Sequence, residues 1–312
     1  MQITISVWRP WYVKYQHPER ISQAKSLNAN LCMKGANFYD TGGLYGGGLY
    51  GLETAAIFKQ PYSHGKDNDS LERMSKAEGV GIDIWCYMTL RDPAREARTI
   101  QDAIARWNPK NVFLDVEADA KKWKANTGAF LRSLGYQRTC SVWLQSYYRP
   151  FYHMEIDWHK WFTYIGDGGY IITGNSPQAY PYSDNIIPRY ELMIQEYGKI
   201  LSEAGRPDIP WYPTLPVFSE GGWTATAPVL EKGYNFLEKE LGDCFVGSNF
   251  YRQDFLLDPK YQDIYSWILT LEATPTPPTP PPSTSVGVNQ FVIEQVYPGM
   301  QAKWGYTGPK PV

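Results

Sequence analysis

The sequence predicts an α/β fold, a closed (β/α)8 TIM barrel. Eight short β-rich runs recur along the chain, segments of helical length lie between them, and the whole series takes up residues 1–272 of 312. A barrel of eight strand-helix units needs about 250 residues, so number, order and length agree. An open doubly wound sheet is the runner-up, weakened because no Gly-rich phosphate turn follows the first run.

The runs are ITISVW from Ile3, ANFYD from Ala36, IDIWCYM from Ile82, NVFLDVE from Asn111, CSVWLQ from Cys140, GYIITGN from Gly169, IPWYPTL from Ile209 and CFVGSNF from Cys244. β-branched and aromatic residues between turn-forming neighbours are the composition of buried strands. The helical segments carry start and stop signals. DPAREARTIQDAIARWN offers Asp92 as an N-cap with Pro93 at the first position, and IIPRYELMIQEYGKILSEAG ends at Gly205. KYQDIYSWILTLEA closes the series. Cys32 is expected in a helix, and Cys86, Cys140 and Cys244 in or beside strands. Without CxxC spacing, all four read as buried thiols rather than disulfide or metal ligands.

Residues 273–285, the Pro/Thr-rich segment TPTPPTPPPSTS and its flank, offer too few backbone donors to join a sheet or helix and read as an extended linker. The short C-terminal tail, 286–312, is too small for a core of its own, and is expected to dock as a strand or to contact another subunit or partner protein.

A content of 43% hydrophobic and 15% aromatic residues supports one large core for residues 1–272. The net charge of −2, without basic runs, gives no field for nucleic acid or an anionic bilayer. No apolar stretch is long enough for a membrane span, and MQITISVWRP lacks the segments of a secretion signal, so cytoplasmic synthesis is expected. The four histidines share no ligand spacing and Ser219 has no nucleophile elbow, so no metal, cofactor or serine-hydrolase chemistry is expected.

In such barrels the working groups sit at the C-terminal ends of the strands. Those ends carry Trp8 and Arg9, Asp40, Tyr87, Asp115 and Glu117, Gln145, Asn175, Tyr212, and Asn249 with Tyr251 and Arg252. NVFLDVEAD is the most informative stretch. Side chains alternate along a strand, so Asp115 and Glu117 leave one face with Cα atoms roughly 6.5 to 7 Å apart, a pair suited to acid/base work. Rings beside amides and carboxylates suit a sugar, whose CH-rich faces stack while its hydroxyls need directional partners. Further rings cluster in loops: Trp11 and Tyr12, Tyr45 and Tyr50, Tyr147 and Tyr148, Tyr180 and Tyr182, and Trp223. The Gly-rich segment 42–51 lacks the GK[ST] of a phosphate loop and reads as a mobile lid over the mouth.

The LDVEAD segment resembles the DxE signature of the family 25 glycoside hydrolases, lysozymes that cut peptidoglycan, and more loosely the last part of the family 18 chitinase motif. The resemblance implies a barrel that carries its catalytic Glu on this strand. Glu117 would be the general acid, and Asp115 would raise its pKa and steady a substrate 2-acetamido group acting as nucleophile. The chain departs from both patterns. ISVWRP lacks the first-strand Asp of family 25, Asn175 stands where that family has a sixth-strand acid, and Asn108, Lys110 and Asn111 interrupt the longer chitinase pattern. Asp40 is the candidate for a missing carboxylate.

The reading is a glycoside hydrolase on an N-acetylated polysaccharide such as peptidoglycan. A barrel, a Pro/Thr linker and a small tail also resemble the layout of phage lysins. The alternative is a non-catalytic glycan-binding or structural barrel of a phage or cell surface, which the departures favour. A barrel enzyme for phosphorylated metabolites is less supported, since FSEGGW and NFYRQD lack Gly-rich amide nests.

Overall fold

The computed structural model describes residues 2–7, 17–41, 44–49, 68–180, 182–220 and 222–273. Trp8, Arg9, Trp11, Tyr12, Tyr50, the ends of the Gly-rich segment, the linker beyond Ala273 and the tail lie outside the described residues.

The first half of the barrel runs β1 (Gln2–Val7), α1 (His17–Ser26), β2 (Asn30–Thr41), β3 (Leu44–Leu49), α2 (Asn68–Ala77), β4 (Ile82–Met88), α3 (Pro93–Trp107) and β5 (Asn111–Val116). It continues with α4 (Ala118–Lys122), α5 (Thr127–Leu134), β6 (Ser141–Tyr147), α6 (Trp158–Thr163), the small hairpin β7 (Ile165–Gly166) and β8 (Gly169–Tyr170), and β9 (Gly174–Gln178). Then come α7 (Ile186–Glu203), β10 (Thr214–Pro216), a second small hairpin of β11 (Ser219–Glu220) and β12 (Trp223–Thr224), and α8 (Ala227–Leu241). Last are β13 (Gly247–Tyr251), α9 (Gln253–Leu256) and α10 (Gln262–Ala273). Eight strands, β1, β2, β4, β5, β6, β9, β10 and β13, pair in parallel. Because β1 bonds both β13 and β2, the sheet closes on itself as the expected (β/α)8 barrel.

β4 and β5 are apolar without strict alternation because both faces are covered. Ile84, Cys86, Leu114 and Val116 join the main core. The residues between them face inward, where Cys32, Trp85, Phe113, Trp143 and Tyr212 form a separate aromatic layer across the barrel. Ring centroids there lie 5.3 to 6.3 Å apart. A polar cluster accompanies that layer. Asp83 accepts from Thr4 Oγ1 at 2.7 Å, from the Asn30 amide, and from the backbone and side chain of Asn111 at 2.9 Å each.

α3 begins as its residues dictate: Asp92 accepts from the backbone N–H of Arg95, Pro93 follows it, and Asn108 ends the helix in the left-handed region. Its stripe of Ala97, Ile100, Ala103, Ile104 and Trp107 lies at helical spacing and is buried.

Strand boundaries depart from expectation in four places. β2 begins at Asn30, so Cys32 sits in a buried strand, not a helix. Cys140 and Cys244 are only half-buried. The sixth, seventh and eighth barrel strands start later than the apolar runs suggest, at Gly174, Thr214 and Gly247. The Gly-rich segment is partly ordered sheet: Leu44–Leu49 pairs antiparallel with Ala36–Thr41 as β3, so its described part is a fixed wall rather than a lid.

Candidate active site

β5 carries the acid pair to the mouth of the barrel. Its pairing ends at Val116, and Glu117 follows in extended backbone (φ −129°, ψ −148°) as the N-cap position of α4, so the alternation that aims Asp115 inward also aims Glu117 inward. By register Asp115 lies level with Tyr87 of β4 and Gln145 of β6. All four line a cavity of about 650 Å³.

Gln178, the last residue of β9, reaches across the cavity. Its Nε2 donates to Asp115 Oδ1 at 2.9 Å and to Glu117 Oε1 at 2.7 Å. The two carboxyls lie within hydrogen-bonding reach of each other. Burial raises the Asp115 pKa well above the usual carboxylate range, and the neighbouring Glu117 charge adds to this. Burial likewise raises Glu117, against the hydrogen bonds from Gln178 and Asp115. Both acids therefore hold their protons to higher pH than exposed carboxyls do.

The walls are aromatic. Tyr180 and Tyr251 stack at 6.0 Å with Phe218 edge-on to both, while Tyr147 stacks on His153 at 3.6 Å. Burial pushes the Tyr147 hydroxyl up to about 12, so it stays a neutral donor. Tyr87 donates to Asp119 at 3.2 Å, and Lys122 holds the same carboxylate at 3.0 Å. Gln145 Nε2 donates to Thr214 at 3.3 Å, and its buried Oε1 has no partner among the described residues.

The structure thus brings together Asp115, Glu117, Tyr87, Gln145 and Tyr251 from the residues expected at the rim. Four others are elsewhere. Asp40 is spent in a bracing cluster: Trp123 Nε1 and Arg91 Nη1 donate to it at 2.7 Å each and hold its pKa below the ordinary value, so it is an anchor rather than the missing acid. Asn175 is fully buried near the start of β9, bonding neither Gln145 nor any other described side chain. Tyr212 precedes β10 and belongs to the aromatic layer, its hydroxyl donating to Thr4. Asn249 is mid-strand in β13 and accepts from Ser6 at 2.9 Å. Asn175, Tyr212 and Asn249 precede the observed strand ends Gln178, Pro216 and Tyr251, which lie further along than the apolar runs suggest. Trp8 and Arg9 lie outside the described residues.

Gln178 and Lys34 are the cavity residues that sequence reasoning missed. GNSPQ contains Gly and Pro, and lacks the apolar signal that GYIITGN displays, so the real strand end was invisible to propensity. Lys34 lies in a stretch read as helix.

No protein-family model matches the chain, and no curated protein sequence matches it. Solved structures do. The catalytic domain of a hyperthermophilic chitinase from Pyrococcus furiosus superposes with a TM-score of 0.58 at 12% identity, covering 88% of this chain and 97% of that one. The Bacillus cereus spore cortex-lytic enzyme SleL gives 0.54 at 10% identity over 86% and 73% of the two chains. The catalytic domain of a family 18 chitinase from the fern Peteris ryukyuensis gives 0.53 at 10% identity over 88% and 100%. These likenesses establish the barrel. Family 18 chitinases are among the structures that share it.

Proposed function

We propose that the protein is a glycoside hydrolase acting on an N-acetylated polysaccharide such as chitin or peptidoglycan, with Glu117 as general acid. The observation that carries this reading is the pair of Asp115 and Glu117, bridged by Gln178, at the mouth of a barrel under aromatic walls. The likeness to chitinases and to a cortex-lytic enzyme supports the substrate class.

The carboxylates divide the chemistry. Those lining the cavity among the described residues, Asp115, Glu117 and Asp119, all come from one wall, at the end of β5 and the start of α4. A double displacement or a water-activating base needs a second carboxylate across the sugar, about 5 to 9.5 Å away. With Asp40 committed to Arg91 and Trp123, the described residues supply none there. An N-acetyl sugar brings its own nucleophile. Glu117 gives its proton to the glycosidic oxygen, whose bond to the anomeric carbon breaks as the 2-acetamido oxygen attacks that carbon, and Asp115, ionised, accepts the acetamido N–H and offsets the positive charge of the cyclic intermediate. Glu117, now a base, removes a proton from the water that opens this intermediate. Gln145 Oε1 is an unoccupied acceptor for a sugar hydroxyl.

The test is turnover of N-acetylated chito-oligosaccharides and peptidoglycan by wild type and Glu117→Gln, read as reducing ends. Glu117→Gln is expected to keep the fold and lose about 10²–10⁴-fold in kcat. Undiminished turnover would reject the assignment, and glycan binding by a wild type that never cleaves would make the barrel a binding module.

A further inference from the structure

Lys34 is a cation in an unusual place. It lies on β2, is 7% exposed, and lines the same cavity as the acid pair. Its Nζ stands 4.4 Å from the ring centroid of Trp85, itself a member of the aromatic layer that plugs the barrel. A buried ammonium is costly unless compensated, and a ring face compensates only part of that cost.

Its inward aim is built into the strand. Lys34 is level with Trp85 of β4, yet Ala36 is level with Cys86, so Gly35 is an extra residue, a bulge. Without it, residues 34 and 37 would point to opposite sides of the sheet; with it, Lys34 and Asn37 both face the cavity. Glycine suits the position because a Cβ there would come within 3.0 Å of Ile84 Cβ. By register Lys34 lies on the layer of Trp85 and Phe113, one inward-facing level below Asp115.

We propose that Lys34 is the internal counter-cation of Asp115 and Glu117, a positioning residue whose charge sets the pH range over which the pair ionises. The other ionisable groups on the cavity wall are Asp119, Tyr39, Tyr87, Tyr147, Tyr148, Tyr180, Tyr182 and Tyr251, with Cys86 behind the sheet; Lys34 is the cationic side chain among the described residues that line it. Its charge opposes the effect of burial on both acids. A buried acid pair with no cation near it would hold its protons too tightly to release one to a leaving group.

The inference rests on the reading of the pair as a working acid, but its test does not require turnover. The carboxyl carbons of Asp115 and Glu117 are titrated by ¹³C NMR in full-length wild type, Lys34→Met and Lys34→Arg. Lys34→Met is expected to move the pair's titration upward by about one to three pH units, and Lys34→Arg to return it most of the way. If Lys34→Met does not fold, the Lys34 ¹³Cε signal in wild type serves instead, and must inflect at the pH where the pair titrates. An unmoved titration in a folded Lys34→Met, or a Lys34 signal that ignores the pair, overturns the proposal. A moved titration without any glycan cleavage rejects the glycosidase reading while leaving the counter-cation in place, and the converse result separates them the other way.

Discussion

At the scale of single residues, the acid pair costs the fold stability in order to be useful. In the unfolded chain Asp115 and Glu117 ionise in the ordinary range near pH 4. In the native protein burial raises both, so the folded state binds more protons between the unfolded and folded values. Stability from this source is therefore full below about pH 4 and declines as pH rises through the folded values. Asp115→Asn removes the ionisation, and is expected to raise Tm relative to wild type at pH 8 but not at pH 3, measured by thermal denaturation; an equal change at both would contradict the raised pKa. Asp83 follows the same direction, its carboxyl pushed up to about 6 by burial despite its donors. Asp115 and Glu117 were legible in the sequence because strand alternation is local, fixed by neighbouring backbone geometry. Gln178 was not, since nothing local to SPQAY says that its side chain will meet residues some 60 positions away.

At the scale of elements, Asp40 is engaged in holding a wall of the barrel. The β2–β3 wall is held to α3 and α4 by a polar brace. Tyr45 of β3 donates to Glu96 at 3.2 Å, Arg95 donates to the Gly47 carbonyl at 2.7 Å, and Arg91 packs over the Tyr45 and Trp123 rings while binding Asp40. Glu96, fully buried, also accepts from the backbone of Thr89 and Leu90 and so shapes the loop after β4. Asp40→Asn weakens two charge-assisted bonds at this junction. It is expected to lower Tm while leaving kcat within a few-fold and the pH–rate profile unshifted; loss of turnover with an intact Tm would return Asp40 to the chemistry. Helix termini and the α3 stripe were readable because capping and 3.6-residue periodicity are short-range. The sixth, seventh and eighth barrel strands were displaced toward the more apolar residues before them, because closed parallel strands take their pairing from both neighbours rather than from their own propensity.

For the whole molecule, closure is what makes a site. The seam between the first and last strands sets Gln2 against Gly247, and Gly247 has φ +152°, where a Cβ would lie 1.9 Å from the Gln2 carbonyl oxygen and 2.7 Å from the Tyr212 ring. Only glycine fits so close an approach. Gly247→Ala is expected to cost about 3 kcal/mol or more and to lower Tm sharply, read by denaturant unfolding and near-UV circular dichroism; an unchanged midpoint would show that the seam is not constrained as described. The count and order of strand-helix units, and the inward aim of Asp115 and Glu117, followed from the sequence alone, because hydrophobic period and strand alternation are properties of contiguous residues. That Asp40 is a brace, that Asn175, Tyr212 and Asn249 are interior, and that Gln178 and Lys34 complete the cavity were decided only by the closed barrel. Closure sets the height of each strand against its two neighbours, and that height determines which side chains share a level with the acid pair.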